Sequence, residues 1–265
     1  MFSPKGGRRQ PRIHCVVLSA PLALALLFQT APRVTPEFRA GLDTLYAGRF
    51  DSAAQYFAVL AARDTTAAAP LVFQAGAYIW WASALDSAKF AEHKIDSLLG
   101  RAILKAKGAG PAADFWLATA HGYRARQRDL HGHAWGAARD AKAMRDAYRH
   151  VLAADSSCVD CYLGIGVYHY GLGRAGTLAK LVARIVGLGS GNAMEGIGHL
   201  RRVAAHGDLA QVEATWVLAA ALVREAARDR AGRAVLRSEA RAYVRRLAER
   251  YPENPVFQRF LHEHP

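Results

Sequence analysis

Apolar residues recur every three or four positions along most of the chain, in helix-length stretches separated by short breaks rich in Gly, Asp and Pro. The runs of β-branched and aromatic residues that would build several strands are missing. The clearest unit runs from Thr35 to Pro70, where TPEFRAGLDTLYAGRFDSAAQYFAVLAARDTTAAAP carries apolar or small residues at helical spacing on both sides of Ala47, Gly48 and Arg49. That pattern predicts a helix hairpin. Gly41 and Ala53 fall where its helices would cross, with Leu45, Phe50, Phe57 and Leu60 filling the space around them. Asp51 is expected to cap the second helix.

The same spacing returns further on. Leu71, Ala75 and Tyr78 repeat it, as do Trp116, Ala120 and Tyr123. Tyr148, Val151 and Asp155 read as the end of a second helix, and Tyr162, Ile165, Gly166 and His169 as the opening of the next. Ala240, Val244, Leu247 and Pro252 repeat the second-helix pattern, with YPENP as its stop. The span from Tyr123 to Met144 is longer than a regular period, and Gly171 to Asn192 reads as another insertion.

These residues resemble the tetratricopeptide repeat, a helix pair of about 34 residues. Gly41, Ala53 and Phe57 stand at matching places; Leu60 and Thr65 depart from the usual alanine and proline. The stretch YLGIGVYHYGLG, its Gly-rich break and the LRR-x3-HG helix that follows look similar to exported bacterial members of that family. The resemblance implies an all-α, right-handed solenoid over residues 32–265, whose first helices line a concave groove that holds a protein or peptide. Carried over repeat by repeat, it assigns to that groove Phe38, Leu42, Leu45 and Tyr46, then Val72, Ile79 and Trp80. His121 and Arg124, and finally Leu163, Val167 and Tyr170, take the equivalent places. Such proteins act as non-catalytic scaffolds.

Composition agrees with an ordinary helical core: 52% of the 265 residues are apolar, and about one in five is alanine, the best helix former. The formal charge of +13 modifies that picture at the N-terminus. Lys5, Arg8, Arg9 and Arg12 precede an acid-free apolar stretch from Ile13 to Phe28, the order of an export signal over residues 1–31. The stretch is short for a membrane span and contains His14 and Pro21, yet an uncleaved anchor stays open because no good small-x-small pair ends it. Cys15 lacks a lipobox before it. Export to the periplasm or cell envelope removes nucleic acid from the expected partners and brings in anionic lipid headgroups.

Candidate chemistry is sparse. Cys158 and Cys161 form the one C-x-x-C, open to three readings: a local disulfide or bystander thiols, a redox pair, or metal ligands. An extracytoplasmic thiol or metal protein is therefore the alternative function. His131, His133, His169 and His199 are numerous enough to suggest a metal, but their spacing nominates no set, and the first two read as loop residues. The HEHP terminus reads as a polar tail. No phosphate loop, dinucleotide fingerprint or hydrolase elbow is present, so no catalytic residue, cofactor or metal site is assigned. Leu178 to Val186 reads as an apolar helix between two glycine hinges, able to pack on the solenoid, cover the groove or touch a membrane. Arg233, Arg237, Arg241 and Arg245 recur every fourth residue, as a solvated stripe or a polyanion contact.

Overall fold

The computed structural model describes residues 35–265, and every regular element among them is an α-helix. The expected export signal lies outside the described residues. Helix α1 (Pro36–Tyr46) starts at Thr35, whose hydroxyl accepts from the Phe38 N–H, and packs antiparallel on α2 (Phe50–Arg63). They cross at Gly41, where a Cβ would stand 2.7 Å from the Phe57 ring. Asp51 does not cap α2: the cap position is Arg49, and the Asp51 carboxylate instead accepts from Gln55 Nε2 one turn on.

Successive helices then pack on one another: α3 (Ala69–Ala84), α4 (Glu92–Ala106), α5 (Pro111–Leu130), α6 (Ala134–Ala154) and α7 (Cys161–Arg174). The surplus residues after Tyr123 are not a loop. They lengthen α5 and α6 to 20 and 21 residues and leave a tight turn at His131–His133. A short helix, α8 (Thr177–Ile185), stands aside, and α9 (Ala193–His206) takes the place beside α7. There Gly166 and Gly196 bring two backbones together, since a Cβ on Gly196 would lie 2.7 Å from the Gly166 carbonyl oxygen. Helices α10 (Gln211–Arg228), α11 (Arg233–Arg250) and α12 (Pro255–Glu263) complete the chain.

The last elements return to the first. Asn254 caps α12 through its Oδ1 and donates from Nδ2 to the Tyr46 carbonyl, while the Tyr251 hydroxyl donates to Asp43, contacts that span 208 residues. Arg259 donates to the carbonyls of Ser83 and Ala84 at the end of α3. Helix α3 thus contacts α5, α5 contacts α7, α7 contacts α10, and α12 comes back against α3. The pairing of neighbours is compatible with a helical repeat, but the two ends of the described chain meet. Trp80 of α3 packs edge-on to Phe257 of α12 and lies 5.9 Å from the Trp216 ring of α10.

That closure corrects the groove expectation. Leu42, Leu45, Tyr46, Trp80 and Tyr170 are buried in the main core, and Val72 and Ile79 in a second cluster with Ile95, Leu98 and Leu99 of α4. Tyr46 and Trp80 do point inward, but Tyr251, Trp216 and Phe257 already cover them. Phe38, His121, Arg124 and Leu163 are half-buried, and of the twelve proposed groove residues Val167 alone is exposed. An aromatic stripe at helical spacing has become core because the chain's own C-terminal helices fill the space it faces.

Candidate functional site

Two carboxylates, one on α6 and one on α10, stand out in the polar part of the structure. Asp140 of α6 is 3% exposed and receives His121 Nδ1 at 2.8 Å, Arg124 Nη2 at 2.7 Å and Arg128 Nη1 at 2.6 Å, all from α5. Burial pushes its carboxyl up, but the hydrogen bonds from His121 and Arg124 and the two guanidinium charges outweigh it and hold it below the usual range. His121 and Arg124, expected in a ligand groove, are therefore spent on joining α5 to α6.

Glu213 of α10 has a different environment. Its Oε1 accepts the Tyr123 hydroxyl of α5 and, at 3.5 Å, the Trp80 indole N–H of α3. Burial raises its carboxyl above the usual range, and the Tyr123 and Trp80 donors with the Arg126 charge offset this only in part. Arg126, one turn beyond Tyr123 on α5, is exposed, yet desolvation lowers its guanidinium against the pull of Glu213 and Tyr123. Arg126 thus carries an exposed charge on the solvent side of the half-buried Glu213 and Tyr123. Behind them the buried Tyr46 hydroxyl, on a ring 5.8 Å from the Trp80 ring, has no hydrogen-bond partner. Desolvation and then the Glu213 charge raise its pKa well above the ordinary phenol. Sequence reading missed Glu213 and Arg126, because only the fold brings α3, α5 and α10 together.

Cys158 and Cys161 are joined in a disulfide and buried. Their loop holds Asp160, which ties down the turn leading into α10: its carboxylate accepts the N–H groups of Asp208 at 3.0 Å, Leu209 at 3.0 Å and Ala210 at 3.2 Å. Burial still raises Asp160 above the usual range against those three donors. The C-x-x-C thus flanks a residue that joins the start of α7 to the turn before α10.

The histidines are brought together only in pairs. Glu195 lies 3.2 Å from His169 Nδ1 and 3.7 Å from His199 Nε2, and burial lowers the His199 imidazole. His131 lies 3.6 Å from Glu92, and His133 precedes α6. Among the described residues no three His, Cys, Asp or Glu side chains are grouped to hold a metal ion. The HEHP segment is not a free tail: the His264 ring packs on Phe260, and Arg241 donates to the carbonyls of Leu261 and His264. That contact takes Arg241 out of the arginine stripe, whose Arg233, Arg237 and Arg245 remain exposed. A shallow depression beside them, lined by Ala234, Val235, Ser238, Glu239 and Ala242, has one charged wall, Glu239, already paired with Arg201.

No family model, curated protein or solved structure matches this chain. The reading of its function therefore rests on the residues themselves.

Proposed function

We propose that the chain is a non-catalytic, tetratricopeptide-like scaffold of the cell envelope that holds a protein or peptide at the polar group of Arg126, Tyr123 and Glu213. The observation that supports this is the polar pair left unsettled there. Arg126 is exposed, and Glu213 accepts hydrogen bonds only from the neutral donors Tyr123 and Trp80, with its pKa raised even though the Arg126 charge acts on it. Packing needs neither charge. A peptide segment offering a carboxylate to Arg126 and an amide or ammonium donor to Glu213 satisfies both, and charge-assisted hydrogen bonds are the stronger kind. Half-buried Tyr123 supplies an apolar contact beside them. The thiol alternative gains nothing from a disulfide that is buried.

The test is site-specific photocrosslinking in intact cells. A crosslinker at position 126 is expected to give discrete adducts that vanish when Glu213→Lys is added, while a crosslinker at exposed Leu104 gives none of them. Identical adducts at both positions, or none at 126, overturn the reading.

A further inference from the structure

Helix α8 is the part of the fold whose sequence and surroundings disagree most. Val182 and Ala183 are buried where α8 touches α6 and α7, but Leu178, Leu181 and Ile185 are 74%, 52% and 62% exposed. Their spacing of three and four residues puts them on one strip of the helix. Lys180 and Arg184, also exposed, lie one turn apart beside that strip, with Arg184 three residues from Leu181. Neither cation has an ion-pair partner among the described residues. No acidic residue occurs anywhere from Cys161 to Met194.

The helix is also held firmly. The loop after it turns through Gly187 and Gly189, both at positive φ, and its carbonyls are pinned from below. Arg145 donates to the oxygens of Gly187 and Leu188, and the Tyr168 hydroxyl donates to that of Leu188. These contacts fix the packed side of α8 and leave its aliphatic strip and cations facing outward. An exposed apolar strip costs free energy in water and is not explained by the packing of the fold.

We propose that α8 docks the protein on an anionic lipid surface, with Leu178, Leu181 and Ile185 at the boundary of headgroups and acyl chains and Lys180 and Arg184 on the lipid phosphates. An apolar strip edged by cations is what a helix needs to lie in a membrane interface. The acid-free sequence around it suits a negative surface. A second copy of the chain fits less well: a strip on a nine-residue helix falls far short of the roughly 800 Å² per partner of a stable interface, and it would set like cations against each other. The proposal concerns a different helix from those that carry Arg126 and Glu213 and stands or falls independently of the reading given to them.

Hydrogen exchange of the full chain tests this locally, so binding through residues 13–28 is not mistaken for binding through α8. Amides 177–186 are expected to exchange several-fold more slowly on vesicles of equimolar phosphatidylcholine and phosphatidylglycerol, and at the solution rate on phosphatidylcholine alone. Salt at about 0.5 M should weaken the protection, since its screening length is only a few ångströms. The triple substitution Leu178→Ser, Leu181→Ser and Ile185→Ser should abolish the effect. Lys180→Glu with Arg184→Glu should do so even if the triple variant folds poorly. Equal exchange on both vesicle types, protection that survives the charge reversal, or protection that grows with protein concentration in the absence of lipid overturns the proposal; the last outcome would instead identify a second copy as the occupant.

Discussion

Asp140 and Glu213 are both carboxylates inside the same stack of helices, and their acidities move in opposite directions. Asp140 faces three cationic or protonatable donors from one neighbouring helix, and its charged form is favoured despite burial. Glu213 faces a phenol and an indole from two helices with only the Arg126 charge beside them, and burial wins. The fold accounts for the first carboxylate through its cationic hydrogen-bond partners. The second, with neutral hydrogen-bond donors, is the one the proposed binding reading uses.

The largest test of that contrast is truncation. Asp140→Ala leaves Arg124 and Arg128 uncompensated beside α6, and it is expected to lower the unfolding free energy by about 3–5 kcal/mol. Glu213→Gln keeps a carbonyl acceptor for Tyr123 and removes a poorly solvated charge, so it should fall within about 1 kcal/mol of the wild type or above it. Urea unfolding measures both, and a comparable loss in the two variants would erase the distinction.

Asp160 is an intermediate case, since it is raised by burial yet accepts three backbone N–H groups. If the Cys158–Cys161 disulfide exists to aim it, replacing both cysteines by serine should cost about 2 kcal/mol, the chain-entropy value for so short a loop. Amides 208–210 should then exchange faster. Stability lost with no change at those amides would show that the staple acts elsewhere.

Acidity sharpens the comparison further. The folded pKa of Asp140 lies below its ordinary 3.8, so its contribution is present above that value and is lost as pH falls through the folded pKa. Glu213 lies above its ordinary 4.5, so its contribution is in place below 4.5 and is lost as pH rises through the folded pKa. Between about pH 7 and pH 3, the deficit of Asp140→Asn should therefore shrink toward acid. The wild type should meanwhile gain on Glu213→Gln. Parallel curves for the two pairs would contradict the opposite shifts.

Local order was legible in the sequence to a greater degree than long-range order. The α1–α2 hairpin, the crossing at Gly41, the stop at YPENP and the helix near Leu178–Val186 all follow from spacing and breakers, which act over a few residues. Tyr46 and Trp80 were placed on the inner side, but their exposure was not foreseeable. The groups that cover them, Tyr251, Phe257 and Trp216, are more than 130 residues away in the chain. For the same reason Glu213 looked like one more acid on an amphipathic helix. Only its distance to Tyr123 and Trp80 makes it unusual. Asp140 was hidden differently, because the extra residues around it read as a loop and are in fact two extended helices.

The smallest expected effect is the most informative about the Arg126–Glu213 pair. Arg126 is exposed and makes no hydrogen bond that the fold requires, so Arg126→Gln should change stability by no more than about 0.5 kcal/mol. Its charge, however, is what holds Glu213 down against desolvation, after the Tyr123 and Trp80 hydrogen bonds. Removing it should raise the Glu213 pKa further, an outcome that NMR titration of the side-chain carboxyl reads directly. Asp140, whose charge partners are Arg124 and Arg128, should not move. A shift in Glu213 with Asp140 unchanged and stability preserved would mean that Arg126 acts on Glu213 alone. If the two carboxylates move together, Arg126 belongs to the same network that joins α5 to α6, and the Arg126–Glu213 pair loses its claim to be separate from it.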